Sequence, residues 1–332
     1  MEKIDFVVAW VDGSDPEWQA RRAGYRQNPE TMDGQAVRYR DWGTLNYWFR
    51  AVEMYAPWVN RVHLITWGPV PEWLNTEHPK LHVVRHEDYI PREYLPTFNS
   101  HAIELNLHRI PGLAEKFVYF NDDFFLTSPV KPTDFFVKGL PCDSLEESPL
   151  PLIGRSQMIN IKTNDIIFLN MHFKKKECRR KNWRKWYSLR TPYATLKNLI
   201  YTGVSRNAFF GLNVHHLPQS YLKETFEAAW NADEKLLAET TSHKFRDARD
   251  VSQCVFKYWQ LGSGKFYPCN KRKHGTWFPG GYDIEGACLA IRNKAYKYIC
   301  YNDAPDVDFE TNKVLLHAAF EEALPKKCAY ER

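Results

Sequence analysis

Covalent staples and membrane anchors are scarce in this chain. Its seven cysteines, at 142, 178, 254, 269, 288, 300 and 328, are odd in number and never fall as Cys-x-x-Cys. That pattern speaks against a disulfide framework and a closed zinc site, and for incidental thiols. No apolar run approaches the ~18 residues that cross a bilayer; the longest are as short as Phe6 to Val11. Met1 to Asp5 lead straight into such a run, leaving no room for a signal peptide. The expectation is a soluble, cytoplasmic protein. Familiar catalytic signatures are missing as well: no Gly-x-x-x-x-Gly-Lys, no Gly-x-Gly-x-x-Gly, no Gly-x-Ser-x-Gly and no His-Glu-x-x-His. Any handling of phosphate therefore falls to a metal, arginine and histidine.

What is present is a globular composition. Of 332 residues, 44% are apolar and 26% charged, which excludes a mainly disordered chain. The length suits one large domain or two tightly joined ones. The formal charge of +5 hides a concentration: residues 174–185 carry eight basic groups and one acidic, or +7, leaving −2 for the remainder. One local patch is not a nucleic-acid coat, so no nucleic-acid partner is expected.

The periodicity predicts alternating strands and helices. Ile4 to Val11 reads as a strand ending in the turn Asp12-Gly13-Ser14-Asp15-Pro16. Residues 41–55 place Leu45, Trp48, Phe49, Val52 and Tyr55 at helical spacing. Arg61–Trp67 and Leu81–His86 read as strands, Asn99–Ile110 as a helix, and Lys116–Asn121 as a strand stopping at Asp122-Asp123. The alternation predicts an α/β layer with a largely parallel sheet. In such sheets ligands sit at the carboxyl ends of strands, and two of those ends carry acidic turns. The layout expected is residues 1–128 as a Rossmann-like half, a proline-rich connector over 129–151, and a more helical part over 152–332 that completes the same site.

Four constellations could carry chemistry. Adjacent carboxylates Asp122 and Asp123 at a strand end repel one another unless a cation lies nearby, and Mg²⁺ or Mn²⁺ prefers such hard ligands; a solvated turn is the plain alternative. His215-His216-Leu217-Pro218 precedes an expected helix over Tyr221–Trp230, and adjacent histidines point apart, so one of them suits proton transfer. Arg246 and Arg249, within Ser242 to Asp250, could clamp phosphate oxygens or merely pair on the surface. Asn302-Asp303-Ala304-Pro305-Asp306 is either one more acidic turn or the closure of a metal site.

These blocks resemble a known family. Ile4 to Pro16 is similar to the first signature of the Stealth family of capsular polysaccharide phosphotransferases. Arg38-Tyr39-Arg40-Asp41, Ala56-Pro57-Trp58-Val59, Leu95-Pro96-Thr97-Phe98-Asn99-Ser100 and Asn121-Asp122-Asp123 together resemble the second. His216-Leu217-Pro218 with His243-Lys244-Phe245-Arg246 resembles the third, and Cys300-Tyr301-Asn302-Asp303 the fourth. The family also includes the catalytic part of the eukaryotic N-acetylglucosamine-1-phosphotransferase. Asp12, Leu217 and Tyr301 depart from that branch, so a bacterial-type enzyme fits better.

The resemblance implies a Rossmann-like core of the GT-A type. It implies an enzyme that moves hexose-1-phosphate, typically N-acetylhexosamine-1-phosphate, from a UDP-sugar to a sugar hydroxyl of a cell-surface glycan, releasing UMP. By carry-over His216 is the general base and Arg246 stabilises the phosphoryl charge. Asp122, Asp123 and Asp303 hold Mg²⁺ or Mn²⁺. Asp12, Asp15, Arg40, Asp41, Asn99, Ser100, His101 and Glu104 shape the substrate pocket. A GT-A glycosyltransferase releasing UDP and a glycan- or nucleotide-binding module are the rival readings. The patch at 174–185, with Phe173, Trp183, Trp186 and Tyr187, suggests peripheral contact with the inner face of the membrane, where a lipid-linked acceptor would sit.

Overall fold

A computed structural model describes residues 2–25, 40–151 and 156–332. Arg38 and Tyr39 of the second block lie outside the described residues. The strands are β1 (Ile4–Ala9), β2 (Val62–Thr66), β3 (Leu81–Arg85), β4 (Lys116–Phe120), β5 (Phe124–Leu126), β6 (Phe136–Val137), β7 (Leu140–Asp143), β8 (Gln219–Leu222), β9 (Tyr267–Pro268), β10 (Gly275–Phe278) and β11 (Tyr298–Tyr301). Helices α1 (Pro16–Tyr25), α2 (Leu45–Tyr55) and α3 (Ser100–Leu105) belong to the first half, followed by the short α4 (Pro132–Phe135). Then come α5 (Gln157–His172), α6 (Lys175–Trp186), α7 (Pro192–Val204), α8 (Lys223–Ala232), α9 (Glu234–Ser242), α10 (Cys254–Ser263), α11 (Ile284–Arg292) and α12 (Phe309–Ala323).

The central sheet runs β3-β2-β1-β4-β8, with β3, β2, β1 and β4 mutually parallel and β8 antiparallel on the β4 edge. Its parallel strands are covered on both faces, which is why they read as nearly unbroken apolar runs. Side chains alternate across the sheet. Phe6, Val8, Val118 and Phe120 face a core shared with α2, α11 and α12; Val7, Phe117 and Tyr119 face a second core built with α8 and α10. This is a Rossmann-like α/β fold. A second sheet, β10-β11-β5, joins the end of β4 to the C-terminal part, because Cys300 of β11 pairs with Phe124 of β5.

Several expected boundaries shift. The helix expected over 99–110 breaks at Asn106, whose side-chain amide donates to the Ala102 carbonyl (2.8 Å) and to Thr241 Oγ1 (3.3 Å). The helix expected from Tyr221 begins at Lys223: Gln219–Leu222 are all buried and complete the edge of β4, with Tyr221 opposite Phe117. The proline-rich stretch at 129–151 carries α4, β6 and β7.

The basic stretch also needs correction. Lys175 is buried against Glu147 at 2.6 Å, and Lys185 donates to the Gly264 carbonyl. Trp186 lies wholly within a third core with Leu169, Phe209, Leu212 and Tyr258, and Phe173 packs edge-on against Trp259. These groups are fixed inward, so the outward charge is smaller than +7 and Trp183 is the tryptophan of the stretch that faces solvent.

Candidate active site

The strand order itself makes a crevice. From β1 the chain steps outward to β2 and β3, then returns to the opposite side of β1 as β4. Loops leaving β1 and β4 therefore diverge, and ligands of such sheets bind where they part. A cleft of about 880 Å³, counted out to its mouth, lies there. Trp10 and Val11 line it from the β1 side, Tyr119, Asn121 and Asp122 from the β4 side, and Ser100, Glu104 and Arg246 from α3 and a later loop.

At the end of β4, three potential ligands converge. Asp123 Oδ2 lies 3.6 Å from His216 Nε2 and 3.4 Å from Cys300 Sγ. Among the described residues this is the one group of three such side chains whose ligand atoms all lie within 4.8 Å of one another. The other Asp123 oxygen is buried with no hydrogen-bond partner, an arrangement that costs free energy unless something binds it. A carboxylate, an imidazole and a thiol can hold a divalent cation, and the nitrogen and sulfur favour Mn²⁺ over Mg²⁺, which prefers oxygen. Burial, then the Asp123 charge, pushes the Cys300 thiol well above its ordinary range, which makes it the weakest ligand of the three. Asp122 next door faces the cleft mouth. Desolvation by the surrounding walls, then the charges of Asp123 and Asp41, raises its carboxyl to about 7. Its open side admits water, which screens part of that rise.

The two histidines part company. His216 keeps 40% of its side chain exposed, faces Asp123, and meets Phe124 and Trp277 edge-on. His215 turns inward to within 3.9 Å of Glu146; burial, then Lys257 and Lys271, lowers it to about 4.

Within the cleft, Arg246 Nη2 donates to Ser100 Oγ at 2.6 Å. Beneath it Glu104 is buried and accepts from Tyr119 Oη (3.3 Å). Burial raises Glu104 to about 7, against the opposing pull of Arg246 and His216, which places both side chains within electrostatic reach of one carboxyl. The residue that locates Arg246 is Asp250, which sequence reasoning missed. Wholly buried, it accepts from Asn99 Nδ2 (2.8 Å) and the Asp247 amide (3.0 Å) and faces His101 Nδ1 (3.4 Å) and His243 Nδ1 (2.5 Å). Asn99 also caps α3 through the His101 amide. Asn99 and His101 thus tie α3 to the 243–250 turn rather than facing ligand directly. Their type gave no signal, because a buried carboxylate is recognised by its donors, not its neighbours in sequence.

Other expected site residues have local partners. Asp12 Oδ1 accepts from the Ser14 amide and hydroxyl, Asp15 caps α1 at the Trp18 amide, and Asp41 accepts from the amide of Gly43. Gly43 has φ +67°, which glycine adopts without strain. Asp303 departs most from expectation: both its oxygens are taken by Arg40, at 2.7 Å each. A bidentate fork of this kind neutralises the carboxylate, so Asp303 stands with Arg40 and outside the Asp123 group. His86, at the end of β3, also lines the cleft with Nδ1 buried and unpaired; nothing in its sequence context marked it.

Known proteins resemble this chain over its whole length. Stealth protein conserved region 1 matches residues 2–29 and conserved region 2 matches residues 38–142. The capsular polysaccharide phosphotransferase WcwK of Streptococcus pneumoniae is 39% identical over all of this chain and 99% of its own. The chain belongs to the Stealth family. The receptor polysaccharide phosphotransferase WefC of Streptococcus oralis is 38% identical over the full length of both. The exopolysaccharide phosphotransferase cps2G of Lactiplantibacillus plantarum is 35% identical over 99% of this chain and 96% of its own. The Stealth chain described here is accordingly a phosphotransferase. A solved galactosyltransferase, LgtC with donor and acceptor sugar analogs, aligns over 95% of both chains at 11% identity and a TM-score of 0.41.

The Asp250 hub makes a prediction. Asp250→Asn should cost about 3–5 kcal/mol, as when one partner of a buried charged network is removed, and loosen Arg246 with it. Burial opposes the Asp250 charge, but His101 and His243 outweigh it and lower the pKa below 3.8. The Asp250 bond raises that of His243 above 6.5. The pair's stabilisation is therefore complete between those two values. It fades as pH falls through the lowered Asp250 pKa or rises through the raised His243 pKa. Thermal unfolding across pH checks this: the gap between wild type and variant should be widest between pH 3.8 and 6.5 and narrow above it. A gap that widens at alkaline pH would contradict the assignment.

Proposed function

We propose that this phosphotransferase moves a hexose-1-phosphate, of the N-acetylhexosamine class, from a UDP-sugar to a sugar hydroxyl of a cell-surface glycan. The observation that carries the reading is that His216, beside Asp123, and Arg246 both act on the buried Glu104 carboxyl, which brings a base and a guanidinium to one region. Asp122 and Arg246 line a cleft at the switch point of a Rossmann-like sheet, and Asp123 with His216 lies next to Asp122. Acceptor oxygen attacks the phosphorus that bears the sugar, the bond to the UMP oxygen breaks, and the anomeric carbon–oxygen bond is untouched. His216 takes the acceptor proton, and its open face allows the hydroxyl to approach. Arg246, held by Ser100, faces the charge on the transferring oxygens.

Asp123, with Asp122 adjacent, would hold Mn²⁺ or Mg²⁺, which would neutralise diphosphate charge when bound, while His216 keeps its ring nitrogen for the proton. Asp12, Asp15 and Asp41 shape the loops of the nucleotide-sugar pocket, and the Arg40–Asp303 fork fixes the segment beside it. Asn99 and His101 act through Asp250, while Ser100 and Glu104 border the donor directly. The glycan acceptor is carried on lipid at the inner face of the membrane.

The identity of the released nucleotide tests the reading. With a panel of UDP-sugars, a soluble glycoside acceptor and Mn²⁺, UMP and a phosphodiester product are expected. Release of UDP would mean attack at the anomeric carbon, and glycosyl transfer instead.

A further inference from the structure

Helix α7 is built inside out. Its inward face carries Asn198, whose amide donates to the Leu145 and Trp186 carbonyls at 2.9 Å each and whose oxygen accepts from the Glu147 amide. Its outward face carries Tyr193, Leu196, Leu199, Ile200 and Val204, each between 51% and 64% exposed, preceded by Leu189 at 95%. These positions recur every three or four residues, the spacing of a single helical stripe. In a helix of a water-soluble domain that stripe normally faces the core, and exposed apolar patches of this extent mark interaction surfaces.

Charge says what the stripe meets. Residues 174–206 hold eleven basic residues and one acidic. On α6 beside it, Lys176, Arg180, Lys181 and Arg184, with the N-cap Lys174, point to solvent together with Trp183, which is 56% exposed. The two helices move as one body: Lys175 Nζ donates to the Tyr201 carbonyl (3.0 Å), and Tyr187 Oη meets Thr202 Oγ1 (3.2 Å). A second copy of the chain would bring this cationic surface against itself, which like-charge repulsion opposes. A glycan offers the leucines nothing to enter. Among the described residues no helix is long and apolar enough to cross a membrane.

We infer that α6 and α7 form a docking face for an anionic lipid bilayer, with the α7 stripe entering the headgroup–acyl boundary and the α6 cations on the lipid phosphates. Apolar burial plus attraction to anionic lipid is the pairing that holds interfacial helices in place. This deepens the lipid-linked-acceptor reading given above and rests on it only for its purpose. Lipid contact itself is measured apart from catalysis.

The probe is vesicles of phosphatidylcholine with and without phosphatidylglycerol, in co-sedimentation with the full chain. Binding to the anionic vesicles is expected at low salt, with little to the neutral ones. Leu196→Ser, Leu199→Ser and Ile200→Ser together should lower it by about tenfold or more, and the loss should persist at low salt. Lys176→Gln, Arg180→Gln, Lys181→Gln and Arg184→Gln together should lower it comparably and flatten its salt dependence. All seven side chains reach solvent, so both variants should unfold near the wild-type temperature and transfer to a soluble acceptor at the wild-type rate. Lys175 is left alone because it is buried against Glu147. Wild-type protein that stays in solution with anionic vesicles at low ionic strength would overturn the inference. So would a triple-serine variant that binds like wild type, or an α7-dependent dimer in light scattering with no lipid binding. Loss of transfer to a soluble acceptor in wild type would instead count against the transferase reading.

Discussion

His216→Ala is expected to lower turnover by roughly 10²–10⁴-fold, the share of a positioned general base, while UDP-sugar binding is largely spared. The side chain is two-fifths exposed and touches Phe124 and Trp277 only by their edges. Its removal opens no enclosed cavity, so the variant should unfold close to the wild-type temperature. His215→Ala should behave in the opposite way. That ring is mostly shielded near Glu146 and held neutral by its surroundings, so its loss should cost stability and leave the turnover of folded protein near normal. Steady-state kinetics beside thermal unfolding separates the two. A folded but inactive His215→Ala protein, paired with a near-normal His216→Ala, would assign the base to the inward histidine.

Strands β1 to β4 were legible because burial on both faces leaves nearly uninterrupted apolar runs, and the acidic turns that end β1 and β4 are visible as breaks in them. β8 was not. Gln219 and Ser220 look like a helix approach, and only the open edge of β4 makes them a strand. The site shows the same division. Asp123 and His216 stood out by residue type and neighbours only as open alternatives, and the resemblance to the Stealth family selected them. Asp250 did not stand out, because its role is the sum of donors contributed by residues 99, 101, 243 and 247. The Arg40–Asp303 fork spans 263 residues and turns an expected metal ligand into an anchor. Helix α7 carried no expectation from the sequence. A stripe of leucines predicts a buried face, and only the three bonds made by Asn198 reveal which side is in.

Asp123→Asn should abolish activity without harming the fold, and these two halves have separate physical causes. The carboxylate has one buried oxygen without a partner and stands beside a second carboxylate, Asp122, whose ionisation it opposes. Replacing it by the isosteric amide removes that repulsion, so in metal-free buffer the variant should be at least as stable as wild type. An amide is a far poorer ligand for a hard divalent cation than a carboxylate. Losing the charge stabilisation of a bound metal is worth several kcal/mol of barrier, or about 10³-fold in rate. Binding itself can be read without catalysis. Mn²⁺ should raise the unfolding temperature of wild type by mass action and leave that of Asp123→Asn unmoved. Cys300→Ser should change both responses little, because the thiol, pushed above its ordinary range, is the weakest ligand of the three. If Mn²⁺ stabilises wild type and variant equally, the cation binds elsewhere. If folded Asp123→Asn keeps full activity in EDTA-treated buffer, the carboxylate at the end of β4 holds no catalytic metal, and its nearness to His216 must then serve to orient the imidazole.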